Sequence, residues 1–203
     1  MYEGAEYREK QDPVCGGDMV RIICLLILVL EAIGLSISIR ERGWKIFAFY
    51  TQLSNIITAA SALLVILFGE TDWTVHQRYI SSCMLLMTFI VTTCVLVPMG
   101  ADAKQLLFSG NGLYHHLLVP ILSIASYLLI EQHVKSPSAI AVPTVITFIY
   151  GAVMLWLNYR GLFDGPYPFF RVKHQSAGAT VLWMAVLIAA IALMSALIFF
   201  LGR

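Results

Sequence analysis

The residues of this chain that could do chemistry interrupt otherwise apolar stretches. In "AFYTQLSNIITAASALL", residues 48–64, Thr51, Gln52, Ser54 and Asn55 crowd the start of an apolar run. Glu31 stands alone in "LLILVLEAIGLSI", and His115 and His116 are adjacent in "NGLYHHLLVP". A threonine hydroxyl is a weak nucleophile that needs a neighbouring base, and neutral imidazole suits that role near neutral pH. Gln52, Asn55, Asn111 or Tyr114 could donate hydrogen bonds to an oxyanion, and Asn158 is a further polar group at the end of an apolar run. Glu31 could hold a histidine in one tautomer, as the third member of a hydrolytic triad does.

Each of these groups also has a purely structural reading. Hydroxyl and amide side chains tie helices together inside membranes. Thr51, Asn55 and Thr58 follow an i, i+4, i+7 stripe, which either a tie or a cavity lining would produce. A protonated Glu31 could join two helices. Adjacent histidines point about 100° apart on a regular helix, so at most one of them is central to a site. Nor is the pair a metal motif, because helical ligands recur at i, i+3 or i, i+4. No metal and no other cofactor is expected.

The elements that must position these groups follow from composition. The chain has 203 residues, 59% hydrophobic and 12% charged; a soluble domain carries roughly twice that charged fraction. A membrane span needs about 20 mostly apolar residues, and six such runs occur, at 19–39, 45–68, 79–98, 113–130, 140–159 and 176–201. The expected fold is therefore all-α, a polytopic membrane protein with six transmembrane helices in a single domain, 19–203. A polar leader, 1–18, precedes it. The leader holds Glu3, Glu6, Arg8, Glu9, Lys10, Asp12 and Asp18, unlike the short basic start of a signal peptide, so the first run is expected to remain as a span. Cys15, Cys24, Cys83 and Cys94 are scattered without a CxxC pair, which points to neither a disulfide framework nor a zinc site. No loop gathers a basic stripe, so nucleic acid is not an expected partner. Lysine and arginine divide almost evenly between the two sets of loops, and orientation is left open.

Parity decides which ends meet. The loops after the first, third and fifth runs share one side, and they contain "SIRERGWK", "GADAKQLLFSGNGLYHH" and "NYRGLFDGPYPFFRVKHQS". The other side has "GETDWTVHQR" and "EQHVKSPS", which read as ordinary polar connectors. At a rise of about 1.5 Å per residue, Thr51 lies roughly 9 Å and Glu31 roughly 12 Å below the busier face, with His115 near that face. "FDGPYPFF", with its two prolines and its aromatics, reads as a rigid turn, either an anchor in the headgroup zone or a lid over a cavity.

Three motifs in this order carry a family likeness: "FYT" at 49–51, "NGLYHHLLVP" at 111–120 and "YGAVMLWLNYRGLFDGPYPFF" at 150–170. Together they resemble the androgen-induced transmembrane hydrolase family and its compact prokaryotic relatives. The resemblance covers most of the chain as topology. It departs at Gly112, where animal members place a second histidine. It implies a threonine hydrolase of lipid esters, such as fatty-acid esters of hydroxy fatty acids, with Thr51 as nucleophile and His115 as base, five residues before Pro120. Membrane lipids and a long-chain acyl ester are then the expected partners, and the cell membrane is the location if the source is prokaryotic. The competing readings are a non-catalytic lipid-binding protein and a small-molecule or proton-coupled carrier that titrates Glu31.

Overall fold

The computed structural model of the chain describes residues 13–164 and 167–203; most of the polar leader, 1–12, lies outside the described residues. The chain is an all-α polytopic membrane protein, and six of its helices are long and apolar enough to cross a bilayer. Among the described residues there is no strand. The helices are α1 (Pro13–Arg42), α2 (Tyr50–Phe68), α3 (Asp72–Leu96), a short α4 (Ala103–Phe108), α5 (Gly110–Leu129), α6 (Ala141–Tyr159) and α7 (Ala177–Leu201).

Local sequence sets the helix ends. The Thr71 side chain caps α3, accepting from the backbone of Thr74 while the Thr74 hydroxyl accepts from the backbone of Thr71, a reciprocal capping box. Asp102 caps α4 through the amides of Lys104 and Gln105, and Ser176 caps α7. Gly69, at φ 70°, takes the left-handed turn that ends α2 and allows a very short link to α3. One boundary differs from the sequence reading in a way that matters. The run from 45 to 68 is not one helix: a 3-10 turn over Gly43–Ala48 is followed by Phe49 in extended conformation, and α2 starts afresh at Tyr50. Thr51 thus sits in the first turn of a helix rather than well inside one.

In the bundle, α3 is central and packs against α2, α5, α6 and α7, while α1 packs on α2 and α5. One apolar cluster, with Val20, Cys24, Ile27, Ala62, Val65, Leu85 and Val119, fills the space among α1, α2, α3 and α5. A larger cluster rich in aromatics joins α3, α6 and α7 to the 160–176 loop. The last helix, α7, buries Leu187, Ile191 and Ile198 but leaves Leu182, Val186, Leu193 and Leu197 exposed, the pattern of a helix that faces lipid. In α2 much of the buried face is polar: Thr51, Gln52, Ser54, Asn55, Thr58 and Ser61 are buried alongside Tyr50, Ala62 and Val65. Two of these act as ties to α3, since Ser54 meets Thr88 at 2.9 Å and Ser61 meets Ser81 at 3.1 Å. An interhelical hydrogen bond replaces the water that these hydroxyls lose in the membrane.

The connectors on the quieter side are more than polar links. Arg78 and Glu131 are 1% and 5% exposed and form a bidentate pair at 2.8 and 2.7 Å, with Ser126 donating to Glu131 at 2.7 Å. Because both charges lie at helix ends, their side chains can turn inward and join α3 to the end of α5.

Candidate functional site

The three loops of the busier side converge on a vestibule of about 510 Å³. Glu41 and Arg42 from the end of α1, Phe49, Thr51 and Gln52 from the start of α2, Asn111 and His116 from α5, and Tyr167 from the long loop all line it. A second cavity, a narrow apolar slot of about 40 Å³, runs inward among α2, α3, α6 and α7 and includes Met87, Thr92, Met184 and Leu187 in its walls. Thr51 and Tyr167 line both cavities. Thr51 therefore stands where a polar chamber meets an apolar one.

The start of a helix explains much of the surroundings of Thr51. The first amides of a helix have no acceptor within it and carry the positive end of its dipole. The Thr51 amide donates to the Tyr167 hydroxyl at 3.4 Å, and that hydroxyl is also 3.3 Å from Thr51 Oγ1. Tyr167 is held by aromatic packing, stacked on Phe169 at 5.1 Å and edge-on to Phe49 at 5.9 Å. Burial raises its phenol above the usual range, and its bonds to Thr51 offset this only in part, so it remains a neutral O–H donor. The "FDGPYPFF" segment is thus tucked into the bundle at Tyr167, Phe169 and Phe170, all buried; Gly165 and Pro166 lie outside the described residues. Asn158 braces this loop, accepting from the Val172 amide at 2.9 Å and donating to the Phe163 carbonyl at 3.2 Å.

The two histidines part company. Residues 113–118 of α5 form a π-helical turn, as do residues 92–96 of α3, and such widened turns recur at functional sites. His116 lines the vestibule, and its Nδ1 lies 2.6 Å from Thr92 Oγ1, a residue of the apolar slot. The His116–Thr92 pair thus spans the same boundary as Thr51. His115 is fully buried and turned the other way, toward α1. Its Nδ1 is 3.1 Å from Gln52 Nε2, and its Nε2 is 3.4 Å from Glu31 Oε2 without the alignment of a hydrogen bond. Gly34 makes this packing possible, because a Cβ there would collide with the imidazole. Gln52 also donates to Ser38 at 3.3 Å, and Asn111 donates to Ser38 at 2.9 Å. As an amide nitrogen only donates, Nδ1 of His115 must accept and Nε2 must carry the proton.

Of the residues picked from sequence, Thr51, Gln52 and Asn111 meet in the vestibule. Glu31, Gln52, Asn55 and His115 meet around a separate cavity between α1 and α2. Asn55 links the two regions by donating to the Thr51 carbonyl at 2.6 Å and to the His115 carbonyl at 3.5 Å. Tyr114 packs its Cβ against Gly34, and Asn158 acts through the loop; neither lines the vestibule. Sequence reasoning missed Thr92, Tyr167 and Ser38 as individuals. For Tyr167 the signal was the Gly-Pro-Tyr-Pro sequence, whereas Thr92 and Ser38 look like any hydroxyl in a span. Among the described residues no group of His, Cys, Asp and Glu could hold a metal ion. Comparison with known protein families, curated proteins and solved structures finds no match to this chain.

Proposed function

We propose that the protein hydrolyses an ester of a long-chain lipid, with Thr51 as the nucleophile. The observation that carries this reading is the position of Thr51 in the walls of both an apolar slot and a polar vestibule. An ester has the same division, with an acyl chain on one side and water needed on the other. The slot is narrow, but Met87 and Met184 in its walls are unbranched and yield readily to an entering chain.

In this mechanism a histidine takes the Thr51 proton, directly or through one vestibule water, while Oγ1 attacks the carbonyl carbon. The oxyanion gains hydrogen bonds from the Tyr167 hydroxyl and from free amides at the start of α2. Collapse breaks the ester C–O bond, and the alcohol leaves with the proton from the imidazolium. Water then attacks the acyl-threonine, gives its proton to the histidine, and releases the carboxylic acid with the hydroxyl restored. Geometry favours His116 as this base, because it shares the vestibule with Thr51 and is bonded to Thr92 across the same boundary. A second reading keeps His115, favoured by the Asn55 amide that ties the carbonyls of His115 and Thr51. In that case Gln52 must first release Nδ1.

Purified protein in lipid nanodiscs, assayed on hydroxy-fatty-acid esters and on simple long-chain esters, tests both. Thr51→Ala should lower turnover by on the order of 10⁴-fold with the helical fold intact, and Thr51→Ser should retain part of it. His116→Ala should cost roughly 10²–10⁴-fold, and His115→Ala much less. The reverse order would transfer the base to His115. Turnover that survives loss of the Thr51 hydroxyl, or no turnover on any ester, would refute the hydrolase reading in favour of lipid binding or carriage.

A further inference from the structure

Of the buried side-chain polar atoms that lack a hydrogen-bond partner among the described residues, none belongs to the walls of the apolar slot. The slot does hold hydroxyls, but each of three is bonded to a neighbouring element. Tyr50 meets Thr147 at 2.8 Å, Thr88 meets Ser54 at 2.9 Å, and Tyr150 donates to the Ala48 carbonyl at 2.8 Å. A lining with no unmet donor or acceptor suits hydrocarbon, and the same bonds hold the walls given by α2, α3 and α6 in place. Leu96 lines both the vestibule and the slot, and Met87 lies roughly 13 Å deeper along α3. That depth is close to one leaflet, about 15 Å.

The remaining wall comes from α7, through Met184, Leu187 and Ile188. Opposite it, Gly151 leaves a bay in α6, and Met184 fills that bay. A Cβ on Gly151 would meet the terminal methyl of Met184 at 2.6 Å and its sulfur at 3.3 Å. Leu187 is buried and Ile188 is stiffened by its β-branch, whereas Met184 is half-buried and unbranched. Met184 is therefore the member of this wall that can turn aside, and its seat on Gly151 narrows the slot to the width of one chain.

We propose that Met184, seated on Gly151, gauges the acyl chain, so that unbranched chains reach Thr51 and methyl-branched ones are rejected. The inference rests on the hydrolase reading and names its substrate class, esters of straight-chain fatty acids. A straight chain displaces only the tip of Met184. A branch requires a second wall to retreat, and the other walls are held by their hydrogen bonds. One surplus methyl group in an apolar pocket is enough for a discrimination of about tenfold.

The test gives the full chain, in phosphatidylcholine nanodiscs, esters of one alcohol with hexadecanoic acid and with phytanic acid, the same chain carrying methyl branches. The wild type should prefer the straight ester, and Met184→Ala should lower that preference about tenfold by making room for a branch. The preference is a ratio within one preparation, so a partly unfolded variant does not alter it. Gly151→Ala presses Met184 into the slot and should slow the straight ester about tenfold, and adding Met184→Ala should restore it. Equal turnover of both esters by the wild type overturns the gauge. So does Thr51-dependent turnover whose preference Met184→Ala leaves unchanged, and in that case the hydrolase reading stands. If no ester is turned over, the hydrolase reading falls and the gauge is read by binding. Hexadecanoic acid with a terminal diazirine should then photolabel Met87 or Leu187, displaced by excess hexadecanoic acid and not by phytanic acid. No label in the slot, or equal displacement by both acids, overturns the proposal.

Discussion

Glu131 and Glu31 are the same residue type, both buried in the bundle, and they have opposite fates. Glu131 receives a bidentate guanidinium from Arg78 and a hydroxyl from Ser126, and neither of its carboxylate oxygens is left without a partner. Among the described residues Glu31 has no hydrogen-bond partner for either oxygen, although His115 stands 3.4 Å away. A buried charge with a partner on each oxygen is a staple, since its hydrogen bonds are spent on holding helices together. An unsaturated one retains the capacity to bind or react. Depth and cost alone, which a sequence reveals, do not separate the two; only the census of partners does.

The largest effect in this comparison is expected at the staple. Arg78→Ala leaves Glu131 as a buried charge without its partner and should destabilise the protein by about 3–5 kcal/mol, read as a lowered thermal midpoint in detergent. Arg78→Met combined with Glu131→Leu should recover most of that loss. If the single substitution proved as mild as the double, the pair would hold nothing together.

Next in size is Tyr167→Phe, which removes the hydroxyl shared with Thr51 while leaving the aromatic packing in place. Under the hydrolase proposal kcat should fall about 10²–10³-fold, as for loss of one oxyanion donor, with KM little changed. Stability should move by about 1 kcal/mol at most, the worth of one ordinary hydrogen bond. A fall in stability without a fall in kcat would make Tyr167 a staple like Arg78.

The smallest effect is expected at Glu31. Glu31→Gln breaks no side-chain hydrogen bond among the described residues and nearly keeps the size of the side chain, so the thermal midpoint should shift by the equivalent of under about 1 kcal/mol. A loss as large as that of Arg78→Ala would show that Glu31 is load-sharing after all, and that His115 is its true partner.

Much of the architecture was legible in the sequence because the bilayer imposes a local rule. Each span needs about 20 apolar residues in a row, and helices are the expected solution when the backbone must satisfy itself. The six spans, the meeting of the three loops by parity and the candidacy of Thr51 all follow from that rule and from residue type. Even the separation of the two histidines was implied, since neighbours on a helix point apart.

What the sequence could not supply is rotation about each helix axis and the break of the chain at Phe49. Those depend on contacts between residues far apart in the chain. Gly34 lets His115 approach α1, the π-helical turn of α5 widens around both histidines, and His116 finds Thr92 on α3. Ser54 and Asn55 differ by one position in α2, yet one ties helices and the other faces a cavity. The sequence by itself determined a six-span bundle with costly polar groups near one face. Tertiary structure alone decided which of those groups are spent on packing and which remain free for chemistry, because hydrogen-bond saturation is a property of neighbours in space.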